Sequence, residues 1–286
     1  MNRVLALLLV GILVLAGFRD AMAFEVALIG DNAKQAAFEQ LAREFNAPIA
    51  GAGDVRRAAT ADGKVAFTVA NAGRDPVAAA NQLLRADLAL LVVDATQGPL
   101  PIVREHVIVA RQANVPLITV YFARTQQLSS ASPKDSAELL ELEEMEMREL
   151  LSLYKVGGDK TPVFRDSADG IPALRRFLAS RLSSRTPVRN LQTINEFAGT
   201  FYLLTEPEGR EHNRAITVAN DTPLDVWIAG SLRAAVVRTK DKHAPGDAAD
   251  LTLKLQSPTP AAEGLRLLLL RDGMVVGVGV IAQIVR

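Results

Sequence analysis

Apolar positions along the chain fall into two regimes. Between residues 24 and 182, short apolar runs alternate with segments of helical spacing. Between 196 and 286, short alternating stretches are separated by turns. The first regime centres on residues 86–124. There the apolar run 88–93 stops at Asp94, Gly98 and Pro99 break the chain, and Pro101 stands where a first helical turn tolerates proline. Val103, Val107 and Ala110 recur on one helical face, Asn114 ends that helix, and 115–122 is again apolar. Apolar runs this short predict strands buried on both faces, and a strand, helix, strand order predicts one βαβ unit of a parallel sheet.

The same reading extends in both directions. Residues 24–30 predict a strand ending in Gly30, and 34–45 a helix with Ala37, Phe38, Leu41 and Phe45 inward. A strand is expected at 64–70, whereas 47–63 is rich in Ala and Gly and shows no period. Residues 136–154 predict a long helix. Its core-facing stripe is expected to be Leu139, Leu142, Met145, Met147, Leu150 and Leu151, with Glu138, Glu141, Glu143, Glu144 and Glu146 solvated. Gly157 and Gly158 end it, a strand is expected at 161–164, and the last helix at 171–182. Residues 183–195 are polar, contain a proline and read as a linker. Beyond it, 196–204, 224–228 (with Trp227), 251–255, 264–271 and 274–285 predict strands of a small barrel. The expected fold is therefore α/β: a parallel-sheet domain over 24–182, a linker over 183–195, and a small all-β barrel over 196–286.

Composition narrows the chemistry. The 286 residues carry no net charge, so no general affinity for polyanions is implied, and no nucleic-acid partner is expected. There is no cysteine, which excludes disulfides, thiolate chemistry and Cys-ligated zinc. His106, His212 and His243 lie in different elements without metal-ligand spacing, so no metal site is expected. Ser129-Ser130 and Ser183-Ser184 lack the G-x-S-x-G context of a nucleophile. Residues 1–23 read as a signal peptide or N-terminal anchor, with Arg3, an apolar run over 4–18 and the small-x-small triplet Ala21-Met22-Ala23. That run, about 15 residues, is shorter than the about 20 that a spanning helix needs, which favours cleavage over a retained anchor. The expected address is periplasmic or envelope-associated, with membrane contact only through an uncleaved N-terminal segment.

The turn after the first strand stands where a phosphate-binding loop would sit. That loop needs G-x-x-x-x-G-K-[ST], its amides cradling phosphate, its lysine neutralising charge and its hydroxyl holding magnesium. Here the segment reads Gly30-Asp31-Asn32-Ala33-Lys34-Gln35. The first glycine and the lysine are present, the loop is two residues short, and Asp31 brings a negative charge to the phosphate position.

Several motifs carry a resemblance. Gly98-Pro99, Arg104-Glu105-His106, the segment 137–168 and the turn Pro245-Gly246-Asp247 resemble the elongation factor Tu family of translational GTPases. The resemblance implies a G-domain-like (P-loop NTPase-like) fold followed directly by the family's third-domain barrel, with the second domain missing. It also implies roles that these residues fill poorly. Thr60 is the candidate for the first-switch threonine. Asn71-Ala72-Gly73-Arg74 stands where the family has Asp-Cys-Pro-Gly-His, so an amide replaces the magnesium-linked carboxylate and Arg74 the water-orienting histidine. Ala123, Arg124 and Gln126 stand where Asn-Lys-x-Asp reads guanine, and Ser167-Ala168 match the last base-contacting loop. Asp94 occupies a structural position of the family at the carboxyl end of the central strand, where open α/β sheets bind ligands.

These readings predict an exported pseudo-GTPase without catalytic residues or cofactor, acting as a non-catalytic binding protein whose partner is a protein. The alternative is a residual GTP- or GDP-binding protein with magnesium, or a weak GTPase, resting on the remnants Gly30, Lys34, Gly73, Ser167 and Ala168. A product of gene decay is a third reading, against which the intact periodicity of both regimes argues.

Overall fold

The computed structural model describes residues 23–52, 56–71, 74–128, 133–181, 190–208 and 215–285. Gly73, the N-terminal segment 1–22, most of the linker and His212 lie outside the described residues.

The first domain is built on a seven-stranded sheet in the order β2-β3-β4-β1-β5-β6-β7. Its strands are β1 (Phe24–Gly30), β2 (Ile49–Ala50), β3 (Arg57–Ala59), β4 (Val65–Val69), β5 (Leu88–Asp94), β6 (Leu117–Ala123) and β7 (Val163–Arg165). β4, β1, β5, β6 and β7 run parallel, with Phe24 opposite Val65, Val26 opposite Leu88, and Leu88 opposite Leu117. The short strands β2 and β3 add an antiparallel edge from the segment that showed no period. Every residue of β5 is buried, which explains its unbroken apolar run: both faces are covered by helices.

One face carries α1 (Ala33–Glu44) and α6 (Gly170–Ala179), which bury Ala37, Phe38, Leu41, Ile171, Leu174 and Leu178. The other carries α2 (Pro76–Leu83), α3 (Pro101–Gln112) and α5 (Pro133–Leu153), with the single turn α4 (Thr125–Leu128) after β6. Helix α2 was not foreseen, although its start is legible: the Asp75 carboxylate accepts from the Ala78 amide at 2.8 Å, and Pro76 follows it in the first turn.

Helix α5 corrects the expected stripe. Leu140, Glu143, Met147 and Leu151 face inward, while Leu139, Leu142, Met145 and Leu153 are exposed. The phase is set by the far end of the helix. Met147 and Leu151 enter the core, and Arg148 donates to the carbonyls of Gly158, Asp159 and Thr161. Helical spacing then turns Glu143 into the protein instead of toward solvent. Its carboxyl is pushed up to about 7, first by burial and then by Glu146 and Asp94.

The barrel comprises β8 (Gln192–Leu203), β9 (Pro223–Ile228), β10 (Ser231–Arg238), β11 (Ala248–Ala261), β12 (Arg266–Arg271) and β13 (Met274–Ile284). It closes antiparallel in the order β10-β11-β8-β13-β12-β9 around Phe197, Phe201, Leu203, Val226, Leu253, Leu267 and Leu269. β10 was unforeseen; five other strands lie over the predicted stretches. Gly279 lies opposite Phe201, and a Cβ there would stand 2.5 Å from the Phe201 ring, so β13 needs glycine to close on β8.

The barrel is not separate from the first domain. Leu204, Trp227, Leu268, Leu270 and Val275 share one core with α2, α3 and α5. Gln112, fully buried at the end of α3, donates to the carbonyls of Leu267 (2.7 Å) and Gly279 (3.2 Å), and Arg266 donates to the Arg111 carbonyl at 3.0 Å. Burial and the neighbouring Arg266 lower the pKa of Arg111. Among the described residues no helix is long and apolar enough to cross a membrane.

Candidate functional site

The candidate site lies at the carboxyl edge of the parallel strands, where β1, β5, β6 and β7 end side by side. Gly30 closes β1 at φ +111°, and a Cβ on it would lie 2.1 Å from the Val92 carbonyl oxygen. Glycine is therefore required here by backbone conformation and by contact with β5, whatever the loop binds.

The loop that follows folds onto itself. Asp31 is 1 % exposed. One of its oxygens accepts from the Ala33 amide at 2.7 Å, and the other from the Asp94 amide at 2.6 Å. Burial raises its pKa most, the two amide hydrogen bonds pull it back, Asp94 raises it and Lys34 lowers it; the net shift is upward. Lys34 is equally buried, and its ammonium donates to the carbonyls of Gly30 (3.1 Å) and Asp31 (2.9 Å). The amides and the cation that could hold a phosphate thus already hold parts of the loop. Gln35 accepts from Arg56 at 2.6 Å, an ordinary surface contact.

Asp94 ends β5. One of its oxygens accepts from the Thr96 amide and hydroxyl at 3.0 and 2.7 Å, and the other from the Arg124 guanidinium at 2.8 Å. Arg124 itself has φ +60°, at the turn from β6 into α4. Its amide donates to Asp166 at 2.5 Å. The Thr125 amide donates to the other Asp166 oxygen at 3.0 Å, and the Thr125 hydroxyl donates to it as well. Gln126 is exposed and donates to the Asp166 carbonyl at 3.3 Å. Asp166, in the turn after β7, organises the whole loop; the sequence reading missed it. The sequence shows only an acidic residue directly before Ser167-Ala168.

The expected residues separate into two groups. Gly30 and Lys34 sit together at the end of β1, and Ser167 and Ala168 lie across the edge after β7, where the Ser167 hydroxyl accepts from the Gly170 amide at 3.1 Å. Next to them a cleft of about 510 Å³ is lined by Gln40, Glu44, Gln126, Asp166, Ser167 and Arg175, among others. Thr60 is elsewhere. It lies in the β3–β4 turn, at the amino edge of the sheet, where its hydroxyl donates to Asp62 at 2.7 Å and lowers the Asp62 carboxyl to about 2, helped by the Lys64 amide. Its part in a first switch is corrected accordingly: the turn closes a hairpin. Arg74 is exposed, its amide bonded to the Asn71 carbonyl at 3.2 Å. His106 is buried against the Ile102 carbonyl at 2.9 Å, and His243 pairs with Thr239 in the barrel.

Residues 74–187 match the family model described as the elongation factor Tu GTP binding domain. The match and the closed barrel fit an elongation factor Tu-like chain that lacks a full second domain. It spans β5, β6 and β7 with α2 to α6, and includes Arg124, Asp166, Ser167 and Ala168. Gly30, Lys34 and Gly73 precede it. The match therefore takes in the carboxyl ends of β5, β6 and β7 but not the loop after β1.

Proposed function

We propose that the protein is an exported, elongation factor Tu-like pseudo-GTPase that works as a non-catalytic binding protein for a protein partner. The observation that carries this reading is the pair Asp31 and Lys34. The carboxylate takes the Ala33 amide of the loop and the Asp94 amide at the end of β5, and the ammonium is bound to loop carbonyls. A nucleotide with magnesium does not fit these residues. Its phosphate would meet a buried carboxylate, and Gln35 offers no hydroxyl to a metal ion. Guanine would meet Gln126, an amide where two base donors converge, and each buried donor left unpaired costs about 1–3 kcal/mol. Support for a protein partner comes from α5, where Leu139, Leu142, Met145 and Leu153 are exposed within one stripe of the helix.

The open cleft of about 510 Å³ beside Ser167 favours the second reading, a residual GTP or GDP binder or weak GTPase. Calorimetry with GDP and magnesium separates the two. No affinity tighter than about millimolar, about 4 kcal/mol of binding free energy, is expected. Micromolar binding that disappears in Lys34→Ala establishes the second reading instead.

A further inference from the structure

The hydrogen bonds at the carboxyl edge join into one chain. From the end of β1, Asp31 accepts from the Asp94 amide at 2.6 Å. From the end of β5, Asp94 accepts from the Arg124 guanidinium at 2.8 Å. From the end of β6, the Arg124 amide donates to Asp166, after β7, at 2.5 Å. Four neighbouring strand ends are thus connected by three carboxylates and one guanidinium in direct contact. Each contact is charge-assisted or carries a backbone amide, and Asp31 and Asp94 are almost fully buried.

We propose that Asp31, Asp94, Arg124 and Asp166 form an internal tie that takes the structural place of a ligand, with the Asp31 carboxylate as the resident anion of the loop after β1. The tie rests on the reading that this edge does not work as a nucleotide site, and adds to it why the edge stays ordered without one. In an open α/β sheet the carboxyl edge is where loops with spare amides gather and a bound anion would satisfy them. In this chain, Asp31 satisfies the amides of Ala33 and Asp94, and Asp166 satisfies those of Arg124 and Thr125. Arg124 connects the two halves. Two repelling carboxylates, Asp31 and Asp94, are held side by side because one is bound to amides and the other to a guanidinium. Removing the Asp31 carboxylate leaves the amides of Ala33 and Asp94 without their acceptor beside Lys34, so that an added anion can take its place.

The test is thermal unfolding of the full chain with and without inorganic phosphate, chloride serving as the ionic-strength control. The wild type is expected to melt at the same temperature with and without phosphate. Asp31→Ala is expected to melt about 5 °C lower, because two buried amides lose their acceptor. Phosphate should raise it back in a concentration-dependent way that chloride does not reproduce. A wild type stabilised by phosphate, or an Asp31→Ala variant that melts like wild type, overturns the tie. Should Asp31→Ala not fold, Arg124→Ala and Asp94→Asn carry the test: their side chains are bonded to each other at 2.8 Å, so their losses are expected to be smaller than additive when combined, and strict additivity overturns the connection. The two readings fail separately. Micromolar GDP binding by the wild type sinks the proposed function, whereas a chain that binds no GDP and is indifferent to Asp31→Ala loses only the tie.

Discussion

The indole Nε1 of Trp227, on barrel strand β9, donates to the Asn81 side-chain oxygen of α2 at 2.8 Å, across 146 positions of sequence. Trp227 is 1 % exposed and Asn81 half-buried, so the hydrogen bond is made at the rim of the shared core of the two domains. A buried indole N–H without an acceptor costs about 1–3 kcal/mol. Asn81→Ala is therefore expected to lower the melting temperature by several degrees, while Asn81→Asp, which keeps an acceptor, loses less. Because the barrel and the sheet domain share a core, calorimetric unfolding of the wild type should show a single transition. Two resolved transitions in the wild type contradict a common core.

That relationship also marks the limit of what the sequence discloses. Strand and helix alternation up to α6, and the change to short alternating strands, follow from local periodicity, so β1, β5, β6 and α3 stand close to where the pattern puts them. Trp227 is visible in an alternating stretch, but nothing local says that its partner is Asn81, because the contact depends on how the barrel seats on α2 and α3. Helix α5 went wrong for a related reason. Leu139, Leu142 and Met145 form as good a stripe as Leu140, Met147 and Leu151, and only the packing of Met147 and Leu151 decides between them. At the candidate site, Asp31 stood out as a charge in a glycine-containing turn. Asp166 did not, since its role exists only once β6 and β7 end side by side.

Glu143 makes stability depend on pH around neutrality. Its carboxyl titrates at about 7 in the folded chain against an ordinary 4.5, because burial, then Glu146 and Asp94, disfavour the charge. The folded state therefore holds a proton that the unfolded state has lost between those values, and stability falls as pH rises from about 4.5 through about 7. Below the lower value the group is neutral in both states and costs nothing. A shift of this size corresponds to at most about 3 kcal/mol. Glu143→Gln should flatten the denaturation midpoint over this range and raise it most at alkaline pH. An unchanged pH profile in the variant would assign the dependence to other groups.

Export has a plain readout. The small-x-small triplet Ala21-Met22-Ala23 predicts a mature chain starting at Phe24, the first residue of β1. Intact-mass measurement of the envelope fraction should give that terminus, and Ala23→Arg should leave the longer precursor to accumulate. A chain found in the cytosol with Met1 or Asn2 at its terminus would refute export and revive a role beside translation.

Restoring single family residues should not restore a nucleotide site. Gln126→Asp puts a carboxylate where the resemblance would place the guanine-reading residue, but Asp166 already holds the amides of Arg124 and Thr125 beside it, and Gln126 itself lies exposed. The new carboxylate would face Asp166 across the loop, a like-charge pair that weakens the position it is meant to rebuild. The phosphate end is independent of that change. Asp31 stays bound to the amides of Ala33 and Asp94, and Lys34 stays bound to the carbonyls of Gly30 and Asp31. Base recognition alone supplies a few hydrogen bonds, too little to bring binding from millimolar to micromolar, a step of about 4 kcal/mol. Calorimetry of Gln126→Asp with GDP and magnesium is accordingly expected to give no heat above dilution, like the wild type. Micromolar binding in this one variant would mean that the loop after β1 opens readily, and that Asp31 is a displaceable guest of the phosphate position.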